Sequence, residues 1–537
     1  MTTSIIKMLK SFFCTKINLS QTLLCLALAA IITIFCNFPL IEYKLAAANY
    51  RGLEGAKINI WFLEIALNYF LVFSFLYCCS FNKFILAIFT ITFLILSLIA
   101  SYALIEFKII IDQIVIANTL DNIENFNDII NIKTAIIYFS FFLALPILLL
   151  AKIKIIKNKS SKIFYFITAI FLVFAAILAA FNHQNRKGII FSYPPAGLLK
   201  SYYEYYTKIH TSLKNKTELL RINDIVKTKI SSHKTKNLKV VLIIGESARS
   251  KNFSINGYER DTTPQIKKIH NFLSFKDVDP CKNLTVYSVD CMLSYKSKKD
   301  FKFPPQEESI IKIFEKLKFS TAFFSAQKAF GDDNGLILLA SEAQQFHFND
   351  TIANKTSDHM VYDEYLLSDL KQDLAKAGDS FIILHTQGSH FLFDDRYTEN
   401  FKIFTPTCGE KDLTKCTQQQ IINSYDNSVA YTDFFIDSVV NELKNQNALL
   451  IYISDHGQFL GEDGIYYHGP DDSVGGPYHK VPMFLWMSDK LMAQNFYRQK
   501  FNNAAKKTTD KLSHDNLFYS LLDCAGIDVD KKLSVCR

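Results

Sequence analysis

Hydrophobic and polar positions divide this chain into two regimes. Up to about residue 182, apolar residues run on with only scattered lysines. Beyond it they come in short bursts separated by charged, helix-patterned stretches. Five runs in the first regime are long enough to cross a bilayer, which takes about 20 apolar residues. They are Gln21 to Ile41, Ile60 to Phe81, Phe84 to Phe107, Ala135 to Ala151 and Ile163 to Phe181. The second run holds Glu64 and Asn68 and the fourth holds Pro146. A carboxylate facing lipid is costly, so Glu64 is expected to face other helices or a wet cavity.

The pattern predicts a five-helix transmembrane domain over residues 1–182, an interfacial connector over 183–236 and an outer domain over 237–537. In the connector, Tyr193-Pro194-Pro195 precedes Tyr202, Tyr203, Tyr205 and Tyr206, with Lys200 and Lys208 beside them. Such a stretch suits a helix lying along the membrane interface, and a structural brace accounts for it equally well. From Asn237 onward the spacing predicts strands at Lys239 to Ile244, Ser320 to Phe324, Ser380 to Leu384, Ala448 to Ile453 and Met483 to Trp486. Helical patterns fill the gaps at Gln306 to Leu317, His359 to Ala377 and Thr417 to Lys444, the last with a capping-type start. This alternation implies an α/β/α domain with a mostly parallel sheet.

Charge orients the chain. The N-terminal tail carries Lys7, Lys10 and Lys16, and the loop after the fourth run carries Lys152, Lys154, Lys157, Lys159 and Lys162. Lysine-rich flanks stay in the cytoplasm, which places the outer domain on the opposite side. The loop between the third and fourth runs, with Glu106, Asp112, Asp121, Glu124 and Asp128 against Lys108, suits that side too. The first run is too long for a cleavable signal and lacks a convincing small-residue cleavage site, so it is expected to remain as an anchor. The net charge of +8 is partly these lysines gripping anionic lipid, so it does not argue for nucleic acid. Of eleven cysteines, six fall in close pairs in the outer domain: Cys281 with Cys291, Cys408 with Cys416, and Cys524 with Cys536. Outside the cytosol such pairs read as disulfides, and no CxxC spacing supports a thiolate zinc site.

Three predicted strands end in polar residues. One runs into Gly245-Glu246-Ser247, one into His385-Thr386-Gln387-Gly388-Ser389-His390, and one into Ser454-Asp455-His456-Gly457, with His468 eleven residues beyond Gly457. Ligands gather at the carboxyl ends of strands in open α/β sheets, and these residues supply the oxygen and nitrogen donors that a zinc-like ion prefers. Between Cys281 and Cys291, Thr285 and Ser288 are candidate nucleophiles whose hydroxyls a dication would activate. A stapled surface loop with locally bonded hydroxyls explains the same spacing, and spacing does not choose between the two hydroxyls.

Several stretches together resemble the lipid A phosphoethanolamine transferases, inner-membrane enzymes of Gram-negative bacteria related to the mobile colistin-resistance enzymes. They are Ile-Gly-Glu-Ser-Ala-Arg at 244–249, Asn252 to Tyr258, Ser-Val-Asp-Cys-Met at 288–292, His-Thr-Gln-Gly-Ser-His at 385–390, Ser424 to Ser428, Ser-Asp-His-Gly at 454–457 and Leu512 to Phe518. The resemblance implies an alkaline phosphatase/sulfatase fold in a periplasmic domain. It implies that Thr285 is the nucleophile and that Glu246, Thr285, Asp455 and His456 hold a principal zinc ion. His390 and His468 would contact the phosphoryl group or a second zinc, with His385 a neighbouring candidate, and Asn118 would contact substrate. It further implies phosphatidylethanolamine as donor and lipid A as acceptor, a modification tied to polymyxin resistance, carried out by a monomer.

The chain departs from the family pattern at Gln458-Phe459 and at Lys480, one place after His479, where a carboxylate and a histidine are usual. Asn122 and Phe126 replace a family threonine and glutamate, with Glu124 nearby to compensate. The rival readings are a phosphoglycerol transferase or phosphodiesterase of the same superfamily, and a non-catalytic membrane-anchored scaffold. A sulfatase reading lacks the Cys/Ser-x-Pro-x-Arg pattern around Thr285.

Overall fold

A computed structural model describes residues 17–42, 55–107, 111, 115–116, 132–156, 166, 168, 170, 193–210, 219–327, 335–348, 361–410, 413–462, 466–467, 479–529 and 533–537. The described residues form two compact units, the first ending at Tyr206 and the second running from Thr207 to Arg537.

The first unit is mainly helical, with one short parallel strand pair between Ile17–Ser20 and Ile153–Ile156. Helix α1 (Gln21–Ala30) continues through a π-helical turn to Phe35, followed by α2 (Gly55–Cys79), α3 (Lys83–Phe107) and α4 (Ile132–Lys152), which contains Pro146. Among the described residues, one stretch, Lys83–Ile105, has both the length and the apolar character to cross a bilayer; Gln21–Phe35, Glu64–Cys79 and Ala135–Ala144 are shorter apolar helices. Of the five expected spans, one is matched by a helix long and apolar enough to cross a bilayer, three coincide with shorter apolar helices, and the fifth run lies almost wholly outside the described residues. Leu24, Leu28, Ile32, Val72, Leu76, Leu94 and Leu98 pack the helices together. Several polar groups among them find partners, as a low-dielectric interior favours. Gln21 Nε2 donates to Ser80 Oγ at 2.6 Å, and the side-chain amides of Asn37 and Asn68 both donate to the Pro194 carbonyl, at 3.0 and 3.2 Å. Glu64 is half-buried, in keeping with a residue turned toward other helices.

The second unit is built on an eight-stranded sheet. In chain order its strands are β1 (Leu238–Gly245), β2 (Phe272–Asp279), β3 (Ser320–Ser325), β4 (Gln345–His347), β5 (Ser380–His385), β6 (Asn447–Ser454), β7 (Val481–Met487) and β8 (Leu512–Ser513). Across the sheet they lie in the order β8-β2-β7-β6-β1-β5-β3-β4, and only β7 runs against the rest. Central strand β1 is buried along its whole length, so it alternates between two cores rather than between core and water. Val240, Leu242 and Ile244 enter one core with residues of α5 (Thr285–Met292), α6 (Ile310–Lys316) and α9 (Leu517–Cys524). Val241 and Ile243 enter the other with α7 (Leu366–Leu374) and α8 (Gln418–Leu443). The result is the expected three-layer α/β/α arrangement.

Five strands fall where the hydrophobic runs predict them. Strand β2 does not announce itself in sequence, because it carries Lys276, Asp277 and Asp279 and its burial is uneven. The predicted helices exist but are shorter than their apolar patterns, except α8, where Thr417 and Gln420 close the expected capping box. The segment between Cys281 and Cys291, read as a loop, is mostly helix α5. All three expected disulfides are formed.

Two features of this unit can be tested. A side chain at Gly245 would place its Cβ against the Tyr452 hydroxyl and 2.6 Å from the ring carbon that bears it. Gly245→Ala is therefore expected to destabilise the fold by about 1–3 kcal/mol, and Tyr452→Phe in the same chain should recover part of the loss in a denaturant titration. No recovery would show that the strain lies elsewhere. The second concerns Asp290 of α5, which is buried with no partner for either carboxyl oxygen. Burial, reinforced by Glu342, holds its acid well above the usual carboxylate range. The folded chain keeps a proton there that the unfolded chain releases above about pH 4. This group's contribution is therefore complete at low pH and declines as pH rises toward the folded pKa. Asp290→Asn should gain in melting temperature on the unmodified chain steadily as pH rises above about 4 toward neutrality. A constant offset across that range would contradict the assignment.

Candidate active site

Sheet register brings the polar strand endings together. Gly245 of β1 pairs with Ser454 of β6, and Ile244 pairs with His385 of β5. The next residues of all three strands must then emerge side by side. The joins are locked by backbone bonds: Asp455 N to Gly245 O at 2.9 Å, Thr386 N to Ile244 O at 3.0 Å, and Ser389 N to Glu246 O at 2.9 Å. Glu246, Asp455 and His456 end up fully buried, with one donor atom of each lying within 4.8 Å of the others. His456 Nε2 is 3.3 Å from both Glu246 Oε1 and Asp455 Oδ2.

Thr285 meets this cluster from the first residue of α5. Its hydroxyl donates to Glu246 Oε2 at 2.9 Å and lies 3.3 Å from His456 Nε2. Ser288, the other hydroxyl in the segment, donates to the Asp455 carbonyl at 2.6 Å and is fully buried. Geometry thus separates two hydroxyls that spacing left equivalent: Thr285 faces the acid cluster and Ser288 a backbone carbonyl. The backbone turn after β1 is itself strained: Ser247 has φ 56°, which costs a non-glycine residue about 1 kcal/mol or more. It is held there by three bonds, from its N–H to Asp455 Oδ1, from its hydroxyl to Glu246 Oε1 and to its carbonyl from the Tyr425 hydroxyl.

Two carboxylates buried together cannot both carry charge at little cost. Burial, then the field of Glu246, pushes the Asp455 carboxyl up to about 8. Burial pulls the neighbouring His456 imidazole down, but Asp455 and Glu246 outweigh it and leave it raised. Asp455 Oδ2 accepts no hydrogen bond. An orphaned carboxylate oxygen beside a second carboxylate and an imidazole is a donor set with room for a dication, and the mix of O and N donors suits zinc.

The other expected residues divide. His385 and His390 lie near enough to Glu246 for its charge to act on them, and burial lowers the pKa of both, His385 to about 4. His385 Nδ1 is 3.0 Å from Ser325 Oγ while Nε2 has no partner. His468 and Asn118, with Asn122, Glu124 and Phe126, lie outside the described residues. Lys480 does not project a free charge: its ammonium sits 2.6 Å from Asp277 and 2.7 Å from Asp279, both on β2. Gln458 is buried with its side-chain amide unpartnered, and Phe459 packs edge-on against His479.

Sequence reasoning missed two participants. Gln327 donates to Glu246 Oε2 at 3.1 Å and to the Thr386 carbonyl at 2.9 Å. It follows β3, so the strand-end rule that found the other residues applied to it as well. His514 follows β8, a strand too short to leave a hydrophobic signature. The loop after β5 has a further requirement. Gly388 has φ +50°, and a Cβ there would stand 2.8 Å from both the N and the O of Glu246. Gly388→Ala should shift Glu246 and weaken metal binding at the cluster by about 10–100-fold, read by competition with a chelating dye. Unchanged affinity would show that the loop yields instead.

The Sulfatase family model matches residues 239–527, and that of phosphoethanolamine transferase EptA/EptB matches 65–192. Phosphoethanolamine transferase EptA of Escherichia coli K12 is 30% identical over 477 residues, covering 83% of this chain and 84% of that protein. Phosphatidylethanolamine transferase Mcr-1 of Escherichia coli is 33% identical over 54% of each chain. The structure of the integral membrane protein lipooligosaccharide phosphoethanolamine transferase A from Neisseria meningitidis shares the fold at a TM-score of 0.71, with 22% identity, over 95% of this chain and 96% of that one. The C-terminal periplasmic domain of phosphoethanolamine transferase EptC from Campylobacter jejuni is 29% identical at a TM-score of 0.51, covering 59% of this chain and 97% of that one. With its strand-end cluster carried on a sulfatase-type sheet and its similarity running into the helical unit, the chain belongs to the phosphoethanolamine transferases of the sulfatase family.

Proposed function

We propose that this chain transfers phosphoethanolamine from phosphatidylethanolamine to an envelope acceptor, lipid A, through a covalent phosphoethanolamine intermediate on Thr285. The observation that carries the reading is the Thr285 hydroxyl, presented at a helix start and already hydrogen-bonded to Glu246 within the buried acid cluster. In the first half-reaction Thr285 Oγ forms a bond to phosphorus, and the bond from phosphorus to the diacylglycerol oxygen breaks. The threonine proton passes to Glu246 Oε2, the acceptor it faces, and from there to the departing oxygen, which leaves as the alcohol of diacylglycerol. In the second half an acceptor oxygen attacks the same phosphorus and releases Thr285 with its proton restored. Negative charge that builds on the phosphoryl oxygens is met by the N–H groups of the first turn of α5.

Glu246, Thr285, Asp455 and His456 would hold a zinc ion, which when bound lowers the pKa of the threonine hydroxyl and neutralises phosphoryl charge. His390, with His385 and His468, would contact the phosphoryl group or a second zinc, and Asn118 the donor. Residues 1–182 would keep the enzyme in the inner membrane through five spans with a cytoplasmic N-terminus. Residues 183–236 would form the connector and 237–537 the periplasmic catalytic domain, acting as a monomer. That arrangement suits the chemistry, since donor and acceptor are both lipids that stay at the bilayer surface. In the connector, the helix Ala196–Glu204 and the turn after it expose Leu199, Tyr202, Tyr203 and Tyr206, as an interfacial segment would.

The test is mass spectrometry of the full chain after incubation with phosphatidylethanolamine. An ethanolamine phosphate adduct on Thr285 is expected, absent from Thr285→Ala, together with a matching mass gain on lipid A in cells that carry the gene. A glycerol phosphate adduct would point to a phosphoglycerol transferase instead, and an unchanged lipid A mass would remove lipid A as acceptor. A chain with neither adduct nor bound zinc would be a scaffold.

A further inference from the structure

His514 lies outside the acid cluster, yet both of its ring nitrogens are spent on the elements that carry it. Nε2 is 3.0 Å from the carbonyl of Ser454, the residue before Asp455. Nδ1 is 3.2 Å from the backbone N–H of Cys281, where the nucleophile segment begins. A carbonyl can only accept and an N–H can only donate, so the ring must carry its one proton on Nε2 and leave Nδ1 as an acceptor. The fully buried site has no room for a second proton without breaking the Cys281 bond. The third neighbour is Ser288, whose Oγ is 3.4 Å from Nδ1 and donates to the Asp455 carbonyl at 2.6 Å. Ser288 is three residues beyond Thr285 in α5, hence on the same side of that helix and about one turn along.

These contacts form one join between two pieces of chain far apart in sequence. On one side are the start of the nucleophile segment and its helix, on the other the strand end that delivers Asp455 and His456. The disulfide from Cys281 to Cys291 closes the segment on itself, but it does not tie it to β6. His514 and Ser288 do. We propose that His514 is a positioning residue for the transfer reaction. It holds α5 against the Ser454-Asp455 strand end so that the Thr285 hydroxyl stays at attacking distance from the substrate phosphorus. The inference rests on the assignment of Thr285 as nucleophile. It assigns His514 no contact with substrate or metal.

Three variants of the full chain in detergent test it: His514→Leu, which keeps bulk and removes both nitrogens; His514→Gln, which keeps a donor and an acceptor; and Ser288→Ala. The readouts are the rate of adduct formation on Thr285 at saturating phosphatidylethanolamine, the half-saturating donor concentration, bound zinc and the melting temperature. His514→Leu should slow adduct formation by about 10–100-fold with zinc and half-saturation unchanged, as expected when a reacting atom is displaced by a fraction of an ångström to an ångström. His514→Gln should return to within about threefold of the unmodified rate and Ser288→Ala should fall between. A purely structural role would lower the melting temperature and leave the rate per folded molecule intact; that result for His514→Leu overturns the inference. If His514→Leu does not fold, Ser288→Ala at the full rate, or His514→Gln with no measurable adduct, overturns it. No adduct on Thr285 in the unmodified chain would overturn the nucleophile assignment itself, and the His514 role with it. An adduct there beside a fully active His514→Leu would overturn the His514 role alone.

Discussion

Two carboxylates on adjacent strand ends, both out of contact with water, set the terms for the catalytic unit. Glu246 and Asp455 are separated by little more than the spacing between β1 and β6, and one imidazole cannot neutralise both. In a medium of low polarity such a pair either takes up a proton or takes up a cation. The raised Asp455 carboxyl is the first outcome, and the orphaned Oδ2 is the mark of the second. Everything close to the pair serves to keep it in place against its own repulsion. Backbone N–H groups and the Ser247 hydroxyl grip the oxygens, Gln327 braces Glu246 from β3, and the strained Ser247 turn is tied to Tyr425 of α8.

That constraint supports the proposal of a threonine at a helix start, rather than a residue on another strand, as the nucleophile. The acid pair fills the strand ends, so the attacking group has to come in from outside the sheet. Helix α5 supplies it with a backbone that favours negative charge at its N-terminal end, where the phosphoryl oxygens would lie. The disulfide, Ser288 and His514 then fix an eight-residue helix too short to be stable alone.

The family departures look different in this light. Lys480 is not a phosphate ligand in waiting, because two aspartates of β2 already neutralise it. β2 is also the strand least visible in the sequence, and its charges make sense only as partners for Lys480. Gln458 keeps the size of the usual glutamate without its charge, and its buried side-chain amide has no partner. Asp290 is buried on α5 itself, where burial and then Glu342 favour its neutral form.

Much of this was legible in the chain. Long apolar runs marked the helical unit, and buried strands five or more residues long marked the centre of the sheet, because a strand covered on both faces leaves an unbroken hydrophobic signature. Their polar endings named Glu246, His385, Asp455 and His456, since a parallel sheet places all carboxyl ends on one edge. Close cysteine pairs foretold the disulfides. What the sequence could not show was register and approach. Spacing left Thr285 and Ser288 equivalent; only the packing of α5 against β6 turned one hydroxyl to Glu246 and the other to a backbone carbonyl. The requirement for Gly388 and the join made by His514 follow from contacts between segments tens to hundreds of residues apart. The chain thus determined which residues stand at the strand ends. Only the tertiary structure decided which of them face one another, because that depends on strand order and pairing, which leave no local pattern.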